Sequence, residues 1–160
     1  MDLHLEPPHG AGPIRLGMNL DEAEAAATPW GEPRIRLRPG TRRASLSTSC
    51  AGVGVEVLLE EEDTVTAVEL WWPGEGKETP TRVLLHGQDV FRTPADAIFD
   101  VLAGQGWRVH DGAGEDPFVA GLSLGFTRRT SQEVPRGPGG LPMCFTSVLV
   151  GGEGYYDFRI

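Results

Sequence analysis

Apolar and polar residues alternate along one stretch of this chain and recur at helical spacing along others, and these patterns sketch its plan. In GVGVEVLLEEEDTVTAVELWW, residues 52–72, Val53, Val55, Val57 and Leu59 occupy every second position. Beyond an acidic turn, Thr66, Val68, Leu70 and Trp72 do the same, with Val65, Ala67, Glu69 and Trp71 on the opposite side. A period of two predicts strands, and this mixture predicts an antiparallel sheet with one buried face. Ala95, Ile98, Phe99 and Leu102 recur at i, i+3, i+4 and i+7, the apolar stripe of an amphipathic helix. Thr93, Pro94 and Asp96 read as its N-cap, first residue and capping box, with Gly104 and Gly106 as its stop. A shorter, Ala-rich helix is expected in MNLDEAEAAA (18–27), capped by Asn19 or Asp21 and ended by Pro29 and Gly31.

The remaining segments complete the plan. Residues 1–13 are rich in Pro and Gly and read as an arm, and RIRLRPGTRRASLSTS (34–49) reads as a hairpin or irregular edge. WRVH (107–110) reads as a short strand, and GLSLGFTRR (121–129) as a strand with Leu122, Leu124 and Phe126 on one face. A loop at 130–142 leads to a strand in MCFTSVLV that begins at a buried Cys144, and GYYDFRI reads as a final edge strand. VELWWPGEG (68–76) and TSVLVGGEG (146–154) are each an apolar run ending in a G-E-G turn, and each lies downstream of one of the two helices. The plan is therefore used twice. The expected fold is α+β, with tandem helix-plus-antiparallel-strand units at 14–76 and 77–160 forming one joined antiparallel sheet, helices on one face. Such a unit cannot bury its apolar face alone, so the pair forms one compact domain.

Composition narrows the function. The net charge of −9 opposes nucleic-acid binding, which depends on phosphate neutralisation. It equally disfavours an anionic membrane surface, and no run of apolar residues is long enough to span a bilayer. Glu60, Glu61, Glu62 and Asp63 concentrate negative charge in the hairpin turn, where it is either solvated or steers a basic partner. The chain's two cysteines, Cys50 and Cys144, make no disulfide framework. MDLHLEPPHG has no basic or apolar signal-peptide region, so the expected compartment is the cytoplasm, with reduced thiols. Arginine supplies 13 of the 14 basic residues, as in a high-GC genome, so its count alone says little about function.

Motifs for chemistry are weak. Gly121-Leu122-Ser123-Leu124-Gly125 matches G-x-S-x-G by letter, but a nucleophile elbow needs a helix after it and a later histidine. Here the pattern continues as a strand that should turn Ser123 outward, and the last histidine, His110, lies upstream. Gly52-Val53-Gly54-Val55 lacks the third glycine and the strand-to-helix turn of a dinucleotide site. His4, His9, His86 and His110 form no metal-ligand spacing, and His86 with Asp89 is the best polar candidate, against a loop or capping role. No catalytic residue, metal or cofactor is expected.

IRLGMNLDEAEAAATPWGEP (14–33) resembles the I-x-L-G-M…E-(V/A)…G-x-P signature of outer-membrane assembly lipoproteins of the SmpA/OmlA type. The doubled plan resembles the tandem helix-plus-sheet architecture of the beta-lactamase inhibitory proteins. The LGM start and the late GYYD also resemble uncharacterised actinobacterial proteins. The chain has neither a lipidation cysteine near its start nor paired disulfides, so the resemblance implies fold and style of action: a non-enzymatic protein that presents a sheet face and loops to a partner. Inhibitors and toxin-immunity proteins act this way, and the alternative is a small-molecule or peptide sensor with a pocket between helices and sheet.

The candidate binding residues are aromatic and basic, the usual interface anchors. Trp71 and Trp72 end the long strand of the first unit, and Tyr155 and Tyr156 follow the matching turn of the second. Adjacent strand residues face opposite sides, so one of each pair should be core and the other free. Arg128 and Arg129 stand at the base of the long loop. Trp30 and Trp107 each follow a helix and are expected to close it onto the sheet.

Overall fold

Strands β1 (Asp2–Glu6), β2 (Gly10–Ala11) and β3 (Ile14–Arg15) lead into helix α1 (Leu20–Ala27). Strands β4 (Arg34–Leu37), β5 (Ala44–Cys50), β6 (Val53–Leu59) and β7 (Ala67–Trp71) follow. The second half holds β8 (Arg82–Leu85), β9 (Gln88–Asp89), α2 (Ala95–Gly104), β10 (Phe118–Val119), β11 (Leu124–Thr127) and β12 (Ser147–Gly151). This is a computed structural model, and it describes residues 1–41, 43–61 and 63–160. Glu62 of the acidic run and Arg42 of the β4–β5 turn lie outside the described residues.

The chain is α+β with mostly antiparallel sheets. A seven-stranded sheet has the order β10-β11-β12-β7-β6-β5-β4, every neighbouring pair antiparallel. A five-stranded sheet has the order β3-β2-β1-β8-β9 and contains one parallel pairing, β1 with β8. Residues paired across strands share a face, so the register identifies the buried one. Leu46, Val57, Val68, Val150, Leu124 and Val119 form one row across the larger sheet, and Val55, Leu70, Val148 and Phe126 form the next. All are buried, and side chains of this size contribute about 1.5–3 kcal/mol each relative to exposure. This face shares one core with Leu3, Leu5, Val83 and Leu85 of the smaller sheet, Ala23 and Ala27 of α1, and Ala95, Ile98 and Leu102 of α2.

Local chemistry explains several boundaries. Asn19 caps α1: its Oδ1 accepts from the Glu22 N–H at 2.8 Å, and the Glu22 carboxylate accepts from the Asn19 N–H at 3.2 Å. Gly17 sits at φ +90°, where glycine avoids the strain a side chain would meet. That turn lets the Gly17 N–H reach the Val65 carbonyl at 2.9 Å while the Met18 carbonyl accepts from the Val65 N–H at 2.8 Å. The Leu16–Met18 segment is thus tied to the entry of β7.

The structure departs from expectation in several places: the strands form two sheets, one with a parallel pairing, and not one joined antiparallel sheet, and WRVH (107–110) contributes only an isolated bridge from His110 to Phe118 in place of a short strand. Residues 1–13, expected as an arm, supply β1 and β2, and Leu3, Leu5 and Ala11 are buried. Alternation within DLHLE (2–6) was masked by the Pro- and Gly-rich segment after it. The N-cap of α2 is Pro94 with no side-chain cap bond, so the Thr93–Asp96 capping box does not form. Residues Ala120–Leu122 make a 3-10 turn, and Ser123 adopts φ +50° and is 1% exposed, so the strand starts at Leu124 and Ser123 does not point outward. GYYDFRI forms a turn and a 3-10 helix at Asp157–Arg159 in place of an edge strand. Cys144 is half-buried and precedes β12, which begins at Ser147.

Candidate functional site

The second face of the larger sheet is closed at one end and open at the other. Over β10, β11 and β12 the chain after Gly151 folds back and lays two tyrosines on glycine. A Cβ at Gly125 would overlap the Tyr156 ring, and one at Gly151 would overlap the Tyr155 ring. Tyr156 stacks on Phe118 at 5.2 Å, Phe118 stacks on His110 at 4.8 Å, and the Arg159 guanidinium lies 4.1 Å from the Phe118 centroid. The Tyr155 hydroxyl donates to a Glu60 carboxylate oxygen at 3.0 Å, and Thr66 Oγ1 donates to the same oxygen at 2.9 Å. Burial raises both phenol pKa values, with Glu60 adding to the effect at Tyr155; Tyr156 is pushed up to about 12, Glu69 contributing. Both hydroxyls therefore stay protonated at neutral pH.

Over β4 to β7 the same face carries polar side chains and one exposed indole. The register places Arg34, Ser47, Glu56, Glu69 and Leu149 in a row, and Gly54, Trp71, Ser147 and Thr127 in the next. Gly54 leaves room for Trp71, whose side chain lies over its backbone. Glu56 and Glu69 are direct cross-strand neighbours, an unfavourable placement for like charges. Burial first, and the Glu56 charge second, push the Glu69 pKa up to about 7, while Arg129 pulls it down. Glu69 is thus poised to lose its proton near neutrality, more readily when a cation sits beside the pair.

The candidate residues divide between the two faces. Trp71 is 42% exposed on the second face, whereas Trp72 packs against the core, as alternation within a strand requires. Tyr155 and Tyr156 do not alternate, because they lie in a turn, and both rest on the second face. Arg129 belongs to that face and pairs with Asp116 at 3.3 Å and Glu115 at 4.0 Å. Arg128 points the other way and is buried, donating to the Gly112 and Gly114 carbonyls at 2.6 and 3.1 Å and lying over the Phe99 ring. It anchors a loop and is not available to a partner. Among the expected residues, the structure therefore brings Trp71, Arg129, Tyr155 and Tyr156 onto one face, with only Trp71 and Arg129 exposed.

Sequence reading missed Glu56 and Glu69. Period two placed each on the polar side of its strand, but only the β6–β7 register makes them neighbours. His86 is exposed in the His86-Gly87 turn of the β8–β9 hairpin, and Asp89 accepts from the Phe91 N–H and pairs with Arg92, so both serve the loop. Trp30 packs at the margin of the core, while Trp107 lies over Gly121 and remains 36% exposed. Among the described residues, no cluster of histidine, cysteine or carboxylate side chains is arranged to hold a metal, and no helix is long and apolar enough to cross a membrane. Comparison with models of protein families, with curated proteins and with solved structures finds no match to this chain.

Proposed function

We propose that the chain is a non-enzymatic protein-binding module that occludes a partner's surface with the open half of its second sheet face, in the manner of an inhibitor or immunity protein. Trp71 carries this reading: a large indole left 42% exposed at the end of β7, beside the polar row of Ser47, Glu56 and Glu69. Trp is the side chain most often found as an interface anchor. Glu56 and Glu69 beside it favour a partner that inserts a basic side chain, which would relieve their mutual repulsion and take up cation–π contact with the indole. The net charge of −9 would speed capture of a basic partner.

The doubled architecture belongs to the same proposal. Strands β7 and β12 are antiparallel neighbours, and Leu70 pairs with Val148, 78 residues later, the separation of the two similar segments starting at 68 and 146. Equivalent strands of two related units would meet in this way about a local two-fold axis.

The test is capture of partners by the tagged chain from its native lysate at low and moderate salt, beside Trp71→Ala. A basic protein retained by the parent chain and lost with the variant supports the reading. Retention unaffected by the variant, or no retention at either salt, removes this face from consideration. A second reading, a sensor, is favoured by a pocket of about 180 Å³ lined by Trp72, Phe91, Val134, Pro135, Met143 and Phe145. A small apolar ligand there would raise the melting temperature, and Trp71→Ala would leave that rise unchanged.

A further inference from the structure

Strand β4 ends the larger sheet, with one edge unpaired among the described residues and a row of arginines on one face. The Arg38 N–H donates to the Arg43 carbonyl at 3.0 Å, so this pair is a hydrogen-bonded one. Antiparallel ladders alternate between bonded and non-bonded pairs. Arg36–Ser45 and Arg34–Ser47 are therefore also bonded pairs, and the intervening Ile35 and Leu37 turn their N–H and C=O groups to the open edge. On the second face, Arg34, Arg36 and Arg38 succeed one another at about 6.6 Å intervals, the two-residue repeat of a strand. Arg43 joins them, and Arg36, Arg38 and Arg43 line the outer side of a hollow of about 530 Å³ whose inner side holds Glu56 and Glu60 of β6 and its turn, so the positive charge is confined to the outermost strand and its turn. None of these four arginines is within ion-pair distance of a described carboxylate. The other face of the same strand leaves Ile35 38% and Leu37 70% exposed.

We propose that β4 is a docking edge for an extended acidic segment of a partner protein, which adds a further strand with carboxylates beside the arginines and apolar side chains beside Ile35 and Leu37. Main-chain bonds to Ile35 and Leu37 supply the pairing, and the arginine row supplies selectivity. The row is a positive patch on a chain of net charge −9, so it selects a segment of the charge the rest of the molecule repels. A second copy of this chain does not fit: β4 paired with itself brings arginine rows together, and like charges across strands are destabilising. Strands β5 and β6 separate this edge from Trp71 on β7, and although Arg34 shares a cross-strand row with Glu56 and Glu69, the main-chain edge at Ile35 and Leu37 is distinct from the indole, so Trp71→Ala distinguishes the two readings.

The probe is a short peptide alternating glutamate and valine, with a lysine–valine peptide of equal length as control. Titration is followed by fluorescence anisotropy and by amide hydrogen exchange of the full chain. The expected result is binding of the glutamate peptide alone, weakening with salt, with new protection at the Ile35 and Leu37 amides. Arg34→Glu with Arg36→Glu should weaken it at least about tenfold, the scale of losing a charged interface pair. Leu37→Pro should abolish it while leaving the melting temperature close to the parent's, because proline is tolerated where an edge N–H faces solvent. Trp71→Ala should not change it. Equal binding of both peptides, protection elsewhere, absence of binding, or Ile35 and Leu37 protection arising from self-association without peptide would each overturn the proposal. The charge-reversal variant alters only exposed side chains, so it decides the matter even if the proline variant unfolds.

Discussion

The two ends of the second sheet face share one set of hydrogen-bonded strands and are finished by opposite means. Along a single cross-strand row, Glu56 and Glu69 give way to Leu149, Gly125 and Phe118. Where the row presents glycine, an aromatic side chain can come against the backbone, and the phenol end of Tyr156 does so at Gly125. Where it presents carboxylates, an apolar cover would strand charge in a medium of low dielectric, which costs several kcal/mol per ion. The glutamates thus keep half of the face open, and the glycines close the other half. This open, charged surface with an indole at the end of β7 is the one we propose for a partner that brings its own charge.

The largest way to break this contrast is to fill the glycine. Gly125→Val should expel Tyr156 and lower stability by ~3 kcal/mol, combining overpacking with lost burial. Chemical denaturation of the parent, Gly125→Val, Tyr156→Ala and the double variant gives the coupling; the second change should cost little once the first is present.

A smaller effect is expected at the open end, and its sign depends on pH. The folded pKa of Glu69 lies near 7, above its ordinary value of 4.5, so between those values the folded state holds more protons than the unfolded state. Stability contributed by the protonated form is present at low pH and is lost as pH rises through about 7. Glu69→Gln should remove that loss. The variant should gain on the order of 1–2 kcal/mol over the parent at pH 8 relative to pH 5, after discounting for partial solvent screening. Equal pH dependence in both proteins would show that Glu69 titrates normally.

Tyr155→Phe should cost about 1–2 kcal/mol, since it removes a hydrogen bond to the Glu60 carboxylate while keeping the ring on Gly151. The smallest effect belongs to Trp71→Ala, about 1 kcal/mol in thermal unfolding, because the indole loses its contact over Gly54 but stands largely at the surface. A large loss there would mean that Trp71 serves the fold, and the open face would lose its anchor.

The strand faces were legible without coordinates. Val53 to Leu59 alternate, Val68 and Leu70 share the core face, and Trp71 and Trp72 part to opposite sides, because a strand's side chains alternate whatever it pairs with; that Trp72 is the inward one was decided by the structure. The start of α1 was legible to within two residues, with Asn19 or Asp21 as the cap, and the capping box between Asn19 and Glu22 settles it on Asn19. Tertiary structure decided what depends on distant residues. It set β7 beside β12, paired β1 with β8, brought Glu56 opposite Glu69, and folded two tyrosines onto glycines 125 and 151. Local periodicity states which side of an element is apolar; which element lies beside it is settled by the fit of faces distant in sequence, where no local pattern is written.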